Sequence, residues 1–174
     1  MKYQIDDFCA RWLDMSGWER DDFTEEQYRS FEDSIRNWYR NLCQTEPCMR
    51  DVNHDIIPRV RNLRQQDNCL SLELPDTVGR LHHVRLPEWK HPVAHFWSTG
   101  SLMHARQASQ LLRATPACPV AVRDGERLLL YGINTGNPDT EPARRISELY
   151  AVGPATDDIL VFPPYINPFE QFRA

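Results

Sequence analysis

Lysine is almost absent from this chain: Lys2 and Lys90 are the only two, and arginine supplies the other 18 positive charges. Arginine suits planar, forked contacts with carboxylates and phosphates and is common in interfaces, although the bias also follows from GC-rich, bacterial or phage-like coding. No run of eighteen apolar residues occurs, so no membrane-spanning helix is expected. The segment Met1–Trp12 turns acidic at once and has no apolar core region, so it does not read as a secretory signal, and a cytoplasmic protein is expected. Glycine is scarce, at 7 of 174 residues. Neither a phosphate loop nor a Gly-x-Ser-x-Gly elbow is present. The cysteines are Cys9, Cys43, Cys48, Cys69 and Cys118, an odd and widely spaced set that argues against a disulfide framework. Cys43-x4-Cys48 with His54 nearby hints at a metal, but the spacing is long and a second ligand pair is missing. Ordinary buried or half-buried thiols are expected.

The net charge of −5 hides a gradient. Residues 1–50 hold 7 basic and 11 acidic side chains, residues 51–113 hold 8 and 6, and residues 114–174 hold 5 and 8. A chain so balanced is not built around non-specific binding of a polyanion, which needs a broad basic footprint. The hydrophobic fraction of 41% and charged fraction of 26% are those of an ordinary globular protein. The length suits a single domain over residues 1–174, with a helical pair in 1–45 and a sheet-containing α+β core in 69–174.

Local patterns give the elements. Ile5, Phe8, Cys9, Trp12 and Leu13 repeat at helical spacing, and Gly17 ends the segment. Thr24 with Gln27 forms a capping box, and Tyr28, Phe31, Ile35, Trp38 and Leu42 follow as one apolar stripe. Ile56, Ile57, Val60 and Leu63 predict a short helix, with Arg59, Arg61 and Arg64 as a solvated basic edge. From residue 69 the period becomes two: Leu70, Leu72 and Leu74 mark a strand, and 80–86 a second strand that returns to it. Val93–Trp97 reads as a strand, capped at Ser98 or Thr99 into a helix running to about Arg113. Asp124-Gly125 marks a hairpin between 119–123 and 127–133. A last helix is expected from Thr140 past Leu149 to Gly153, then a strand at Ile159–Phe162 and an aromatic, proline-punctuated tail. The predicted fold class is α+β, an N-terminal helical pair followed by a mostly antiparallel sheet with two further helices.

Five of the six histidines fall between His82 and His104: His82, His83, His91, His95 and His104. Histidine is the usual choice for metal ligation and for proton transfer near neutral pH. Pro92 breaks the helical reading of His91 and His95. A three-histidine metal site from His83, His95 and His104 is the arrangement left, against the simpler expectation of structural histidines and no cofactor. The turn Ser98-Thr99-Gly100-Ser101 offers backbone N–H groups, and a plain helix cap is the expected use. The histidine strand, this turn and Glu148 resemble, as isolated residues without a continuous motif, the histidine, hydroxyl and glutamate positions of ADP-ribosyltransferases. The catalytic candidates are accordingly His83, His95, Ser98, Thr99, His104 and Glu148.

With no assembled catalytic motif, an acidic net charge and aromatic residues concentrated near both termini, the leading expectation is a protein-interaction module. It would be an inhibitor, immunity-type or adaptor protein that binds and blocks a partner, and that partner is expected to be basic. Trp18, Tyr28, Trp38, Trp89, Tyr165 and Phe169 are the expected anchors. An enzyme built on the histidine window, as a metal-dependent hydrolase or ADP-ribosyltransferase-like protein, is the alternative. Nucleic-acid binding through Arg59, Arg61 and Arg64 comes third.

Overall fold

A computed structural model describes residues 1–134 and 142–172, apart from the side chains of residues 142 and 143. In chain order the first elements are β1 (Lys2–Gln4), α1 (Ile5–Ser16), α2 (Glu25–Thr45), β2 (Asn53–Asp55), β3 (Arg61–Gln66), β4 (Cys69–Glu73) and β5 (Leu81–Arg85). They are followed by β6 (Phe96–Ser98), α3 (Leu102–Ala105), β7 (Val120–Asp124), β8 (Arg127–Tyr131), α4 (Pro142–Arg145), β9 (Glu148–Val152), β10 (Ile159–Val161) and α5 (Pro168–Gln171). The fold class is α+β, and among the described residues no helix is long and apolar enough to cross a membrane. The chain forms two compact units, residues 1–54 with 152–174 and residues 55–151. The last strand and the tail thus join the N-terminal helices, not the 69–151 strands with which the sequence groups them.

In the helical unit, α1 buries Ile5, Phe8, Cys9 and Leu13. Gly17 ends it in the left-handed region at φ 77°. Its N–H reaches Asp14 O at 3.1 Å, and the Trp18 N–H reaches Leu13 O at 2.9 Å, the paired bonds of a Schellman end. The α2 capping box forms as the sequence predicts: Gln27 N–H donates to Thr24 Oγ1 at 3.2 Å and Thr24 N–H to Gln27 Oε1 at 2.8 Å. Strand β1, which the sequence did not suggest, pairs antiparallel with β10, Lys2 opposite Val161. Tyr39 locks that pair into the core. Its hydroxyl donates to Val161 O at 2.7 Å and accepts from Val161 N–H at 2.9 Å. The tail packs down: Phe172 is buried, and Phe169 stacks on Phe8 with centroids 4.7 Å apart.

In the sheet unit, five strands run in the order β3-β4-β8-β7-β6. All neighbours are antiparallel except β6 and β7. Strand alternation sends Leu70, Leu72, Leu128 and Leu130 into one core with Trp89, Val84 and Leu149. The Asp124-Gly125 hairpin forms as predicted, joining β7 and β8. Strand β5 does not return onto β4; it pairs antiparallel with β9.

Three further expectations are corrected. The short helix over Ile56–Leu63 is a 3-10 turn, Ile57–Arg59, because the chain then extends into β3. The helix expected from Ser98 to Arg113 is only α3 and a 3-10 turn, Arg106–Ala108. Leu111 and Leu112 stay exposed, so no apolar stripe exists to hold a longer helix. The helix expected from Thr140 to Gly153 is described only over Pro142–Arg145, its first two residues lying outside the described ones. Residues 148–152 are strand β9, whose Leu149 and Ala151 are buried at period two.

Candidate functional site

The expected aromatic anchors separate by burial. Trp89 is core, 2% exposed, with its Nε1–H donating to Gly132 O at 2.9 Å. Trp38 packs on Phe8 and Phe172, and Phe169 on Phe8 and Tyr3, all within the helical unit's core. Tyr28 is half-buried beneath the Arg20 guanidinium, which lies 3.8 Å from its ring centre. Tyr165 is exposed and its hydroxyl donates to Asp51 Oδ2 at 3.1 Å. Trp18 is 53% exposed and its ring meets Phe23 edge-on, with centroids 6.1 Å apart.

The Schellman end of α1 fixes the backbone of Trp18 and leaves its ring in solvent. Met15, one turn earlier, is 62% exposed. Around them, residues 14–26 carry six carboxylates (Asp14, Glu19, Asp21, Asp22, Glu25, Glu26) and one cation, Arg20. That cation is already engaged, by Glu25 at 2.7 Å and by the Tyr28 ring. The helical unit as a whole holds 8 basic and 15 acidic side chains, a charge of −7. The sheet unit holds 12 and 10, a charge of +2. Exposed aromatic and methionine side chains in a stretch of chain whose charge is mostly of one sign are of the type enriched at interfaces.

The histidine window gives a second constellation. A β-bulge between Leu81 and His83 shifts the β5–β9 register. Bulges re-aim side chains; here His82 and His83 lie side by side, with Nδ1 atoms 2.6 Å apart. His83 Nε2 lies 3.0 Å from Glu148 Oε2, and Arg85 Nη1 donates to Glu148 Oε1 at 3.3 Å. The Tyr150 ring stacks on His83, with centroids 5.0 Å apart and planes at 14°. Glu148 accepts only, so in the neutral pair His83 Nε2 carries the proton and His83 Nδ1 accepts from His82 Nδ1–H. The tautomers follow from this network. A carboxylate–imidazole–imidazole chain of this kind can orient a base and relay a proton.

The remaining candidates do not join it. His95 is exposed and meets the edge of Trp97, with centroids 4.3 Å apart. His104 Nδ1 accepts from Gly100 N–H at 3.2 Å. His91 is exposed. The trio His83, His95 and His104 is therefore not assembled, and among the described residues no group of three or more His, Cys, Asp or Glu is placed to hold a metal ion. Ser98 ends β6 and Thr99 lies in the turn, both exposed. The helix cap falls on Ser101, whose Oγ accepts from His104 N–H at 3.3 Å, and not on Ser98 or Thr99. Cys43 is a core thiol, pushed up by burial to about 11, and His54 Nδ1 lies 2.7 Å from Gly153 O. Arg59 donates to Thr77 Oγ1 at 2.7 Å, while Arg61 and Arg64 lie on β3.

Nothing in the spacing of His82, His83 and Glu148 announces their meeting, which depends on a strand pairing across some sixty residues of sequence. Comparison with family models, with curated proteins and with solved structures gives no match to this chain.

Proposed function

We propose that this is a small cytoplasmic protein-interaction module, of the inhibitor, immunity-type or adaptor kind, that binds a basic surface on a partner protein. The observation that carries this is the exposed Trp18 within six carboxylates and one engaged arginine. Trp18 and Met15 supply the apolar anchor. The carboxylates steer approach and reject acidic surfaces. Blocking is steric or charge-complementary and needs no cofactor and no membrane. The test is capture of the partner by the wild-type chain and by Trp18→Ala. A substitution at a half-exposed side chain leaves the fold intact, so circular dichroism should be unchanged while the partner is lost.

A second reading is favoured by one observation, the 3.0 Å contact of His83 with Glu148. It makes the protein an enzyme in which His82 Nε2 takes up the substrate proton, the His82 Nδ1 proton passes to His83 Nδ1, and Glu148 stabilises the imidazolium that forms. Under it, His83→Gln and Glu148→Gln would each abolish an activity that Trp18→Ala leaves untouched. Loss of a captured partner with Trp18→Ala, and its retention with His83→Gln, argues for the interaction module.

A further inference from the structure

We infer that the outer face of the five-stranded sheet binds a phosphorylated small molecule, held by Arg64, Arg113 and Arg127. Strand alternation creates this face. With Leu70, Leu72, Leu128 and Leu130 turned into the core, Ser71, Glu73, Arg127 and Leu129 point the other way. Toward β7 that face is covered by a small apolar cluster in which Ala114, Val120 and Val122 pack with Met103, Leu129 and Tyr131. Over β3 and β4 no such apolar cluster is seen among the described residues, and an open groove of about 680 Å³ remains. This lies within the range of small-molecule sites, roughly 300–1,000 Å³.

The groove is built rigidly. Its wall, the segment around Gln107 to Arg113, is pinned by Gln107, whose Nε2 donates to Met103 O at 2.8 Å and whose Oε1 accepts from Ala114 N–H at 2.8 Å. Asn68 ties wall to floor, donating to Ala114 O at 3.1 Å and accepting from Ile133 N–H at 3.1 Å. A preorganised wall lowers the ordering cost of binding.

The charges in the groove are what select the occupant. Several arginines elsewhere are engaged: Arg36 by Glu32, Asp33 and Asp158, Arg40 by Asp157, Arg145 by Glu88, and Arg123 by the Val78, Gly79 and Gly125 carbonyls. Arg64, Arg113 and Arg127 line the groove from β3, the wall and β8, and among the described residues none of the three side chains has an ion pair or hydrogen-bond partner. Two carboxylates, Asp67 and Glu73, line it too, and Glu73 already accepts from the Asn62 amide. Three guanidinium forks exceed what one carboxylate ligand can satisfy, whereas a phosphate brings up to two negative charges and three acceptor oxygens. Gln66 and Gln110 add amide donors and acceptors for a polar remainder such as a sugar.

Calorimetric titration of the full chain with inorganic triphosphate and with ATP tests this, alongside Arg64→Gln, Arg113→Gln, Arg127→Gln and the control Arg106→Gln, whose side chain is outside the groove. The three groove arginines are exposed, so their variants keep the fold. Saturable binding that weakens about tenfold in each groove variant and not in the control is expected. The absence of saturation at millimolar ligand, or equal affinities in all four variants, overturns the assignment. So does a short single-stranded RNA that binds far more tightly than ATP and depends on the same arginines, because the occupant is then nucleic acid.

Discussion

Trp89→Ala should destabilise the 55–151 unit by about 3–5 kcal/mol, the range for deleting a large buried aromatic. The indole is 2% exposed and belongs to the main core cluster. It also pins separate pieces of backbone. Its own N–H bonds Leu86 O at 3.1 Å, and its Nε1–H bonds Gly132 O at 2.9 Å. Gly132 is itself confined: φ is +92°, and a Cβ there would lie 2.6 Å from Thr115 O. The next residue, Lys90, donates its N–H to Pro116 O at 3.1 Å. Removing the indole therefore opens a cavity and orphans the Gly132 carbonyl. Trp89→Phe keeps most of the volume and should cost less than half as much. Denaturant unfolding checks both, and a loss below about 1 kcal/mol for Trp89→Ala would show that the loop repacks without it.

Glu88→Ala should cost a similar amount for an electrostatic reason. Arg145 is 2% exposed, and its Nη1 donates to both Glu88 oxygens, at 2.8 and 3.0 Å. Among the described residues its Nε and Nη2 have no hydrogen-bond partner. Deleting the carboxylate leaves a buried, uncompensated guanidinium, a loss of about 3–5 kcal/mol. The double variant Glu88→Leu with Arg145→Met removes both charges and should recover most of that stability. The full cycle in denaturant measures it. A double variant as unstable as Glu88→Ala would show that shape, not charge, governs the site.

These two sites also show where the sequence stops being legible. Trp89 reads as a surface anchor because Pro87 and Pro92 mark a loop, and loops are usually exposed. Its burial depends on Gly132 and Pro116, more than twenty residues away. Local signals are read well: Gly17 ends α1, Thr24 and Gln27 start α2, and Asp124-Gly125 turns the hairpin. Each is settled within a few residues. The pairing of β5 with β9 is not, and Ile146 and Leu149, three residues apart, imitate a helical repeat where a strand begins. His83 and Glu148 are both visible as candidates, but their contact needs that pairing and its bulge. His95, Ser98, Thr99 and His104 are close to His83 in sequence, yet their partners lie elsewhere. Of the aromatic anchors, helical spacing places Trp38 on a packed stripe. It says nothing of Trp18, which lies just beyond the end of α1.

The most direct measurement is affinity capture from native lysate at about 0.15 M salt, where charge steering still acts, comparing the wild-type chain with Trp18→Ala and with Asp21→Lys/Asp22→Lys. The interaction proposal expects one stoichiometric, basic protein with the wild type, lost with both variants and weakened as salt rises. A partner held equally by all three chains, or a wild type that captures nothing while His83→Gln abolishes a measurable activity, would contradict it.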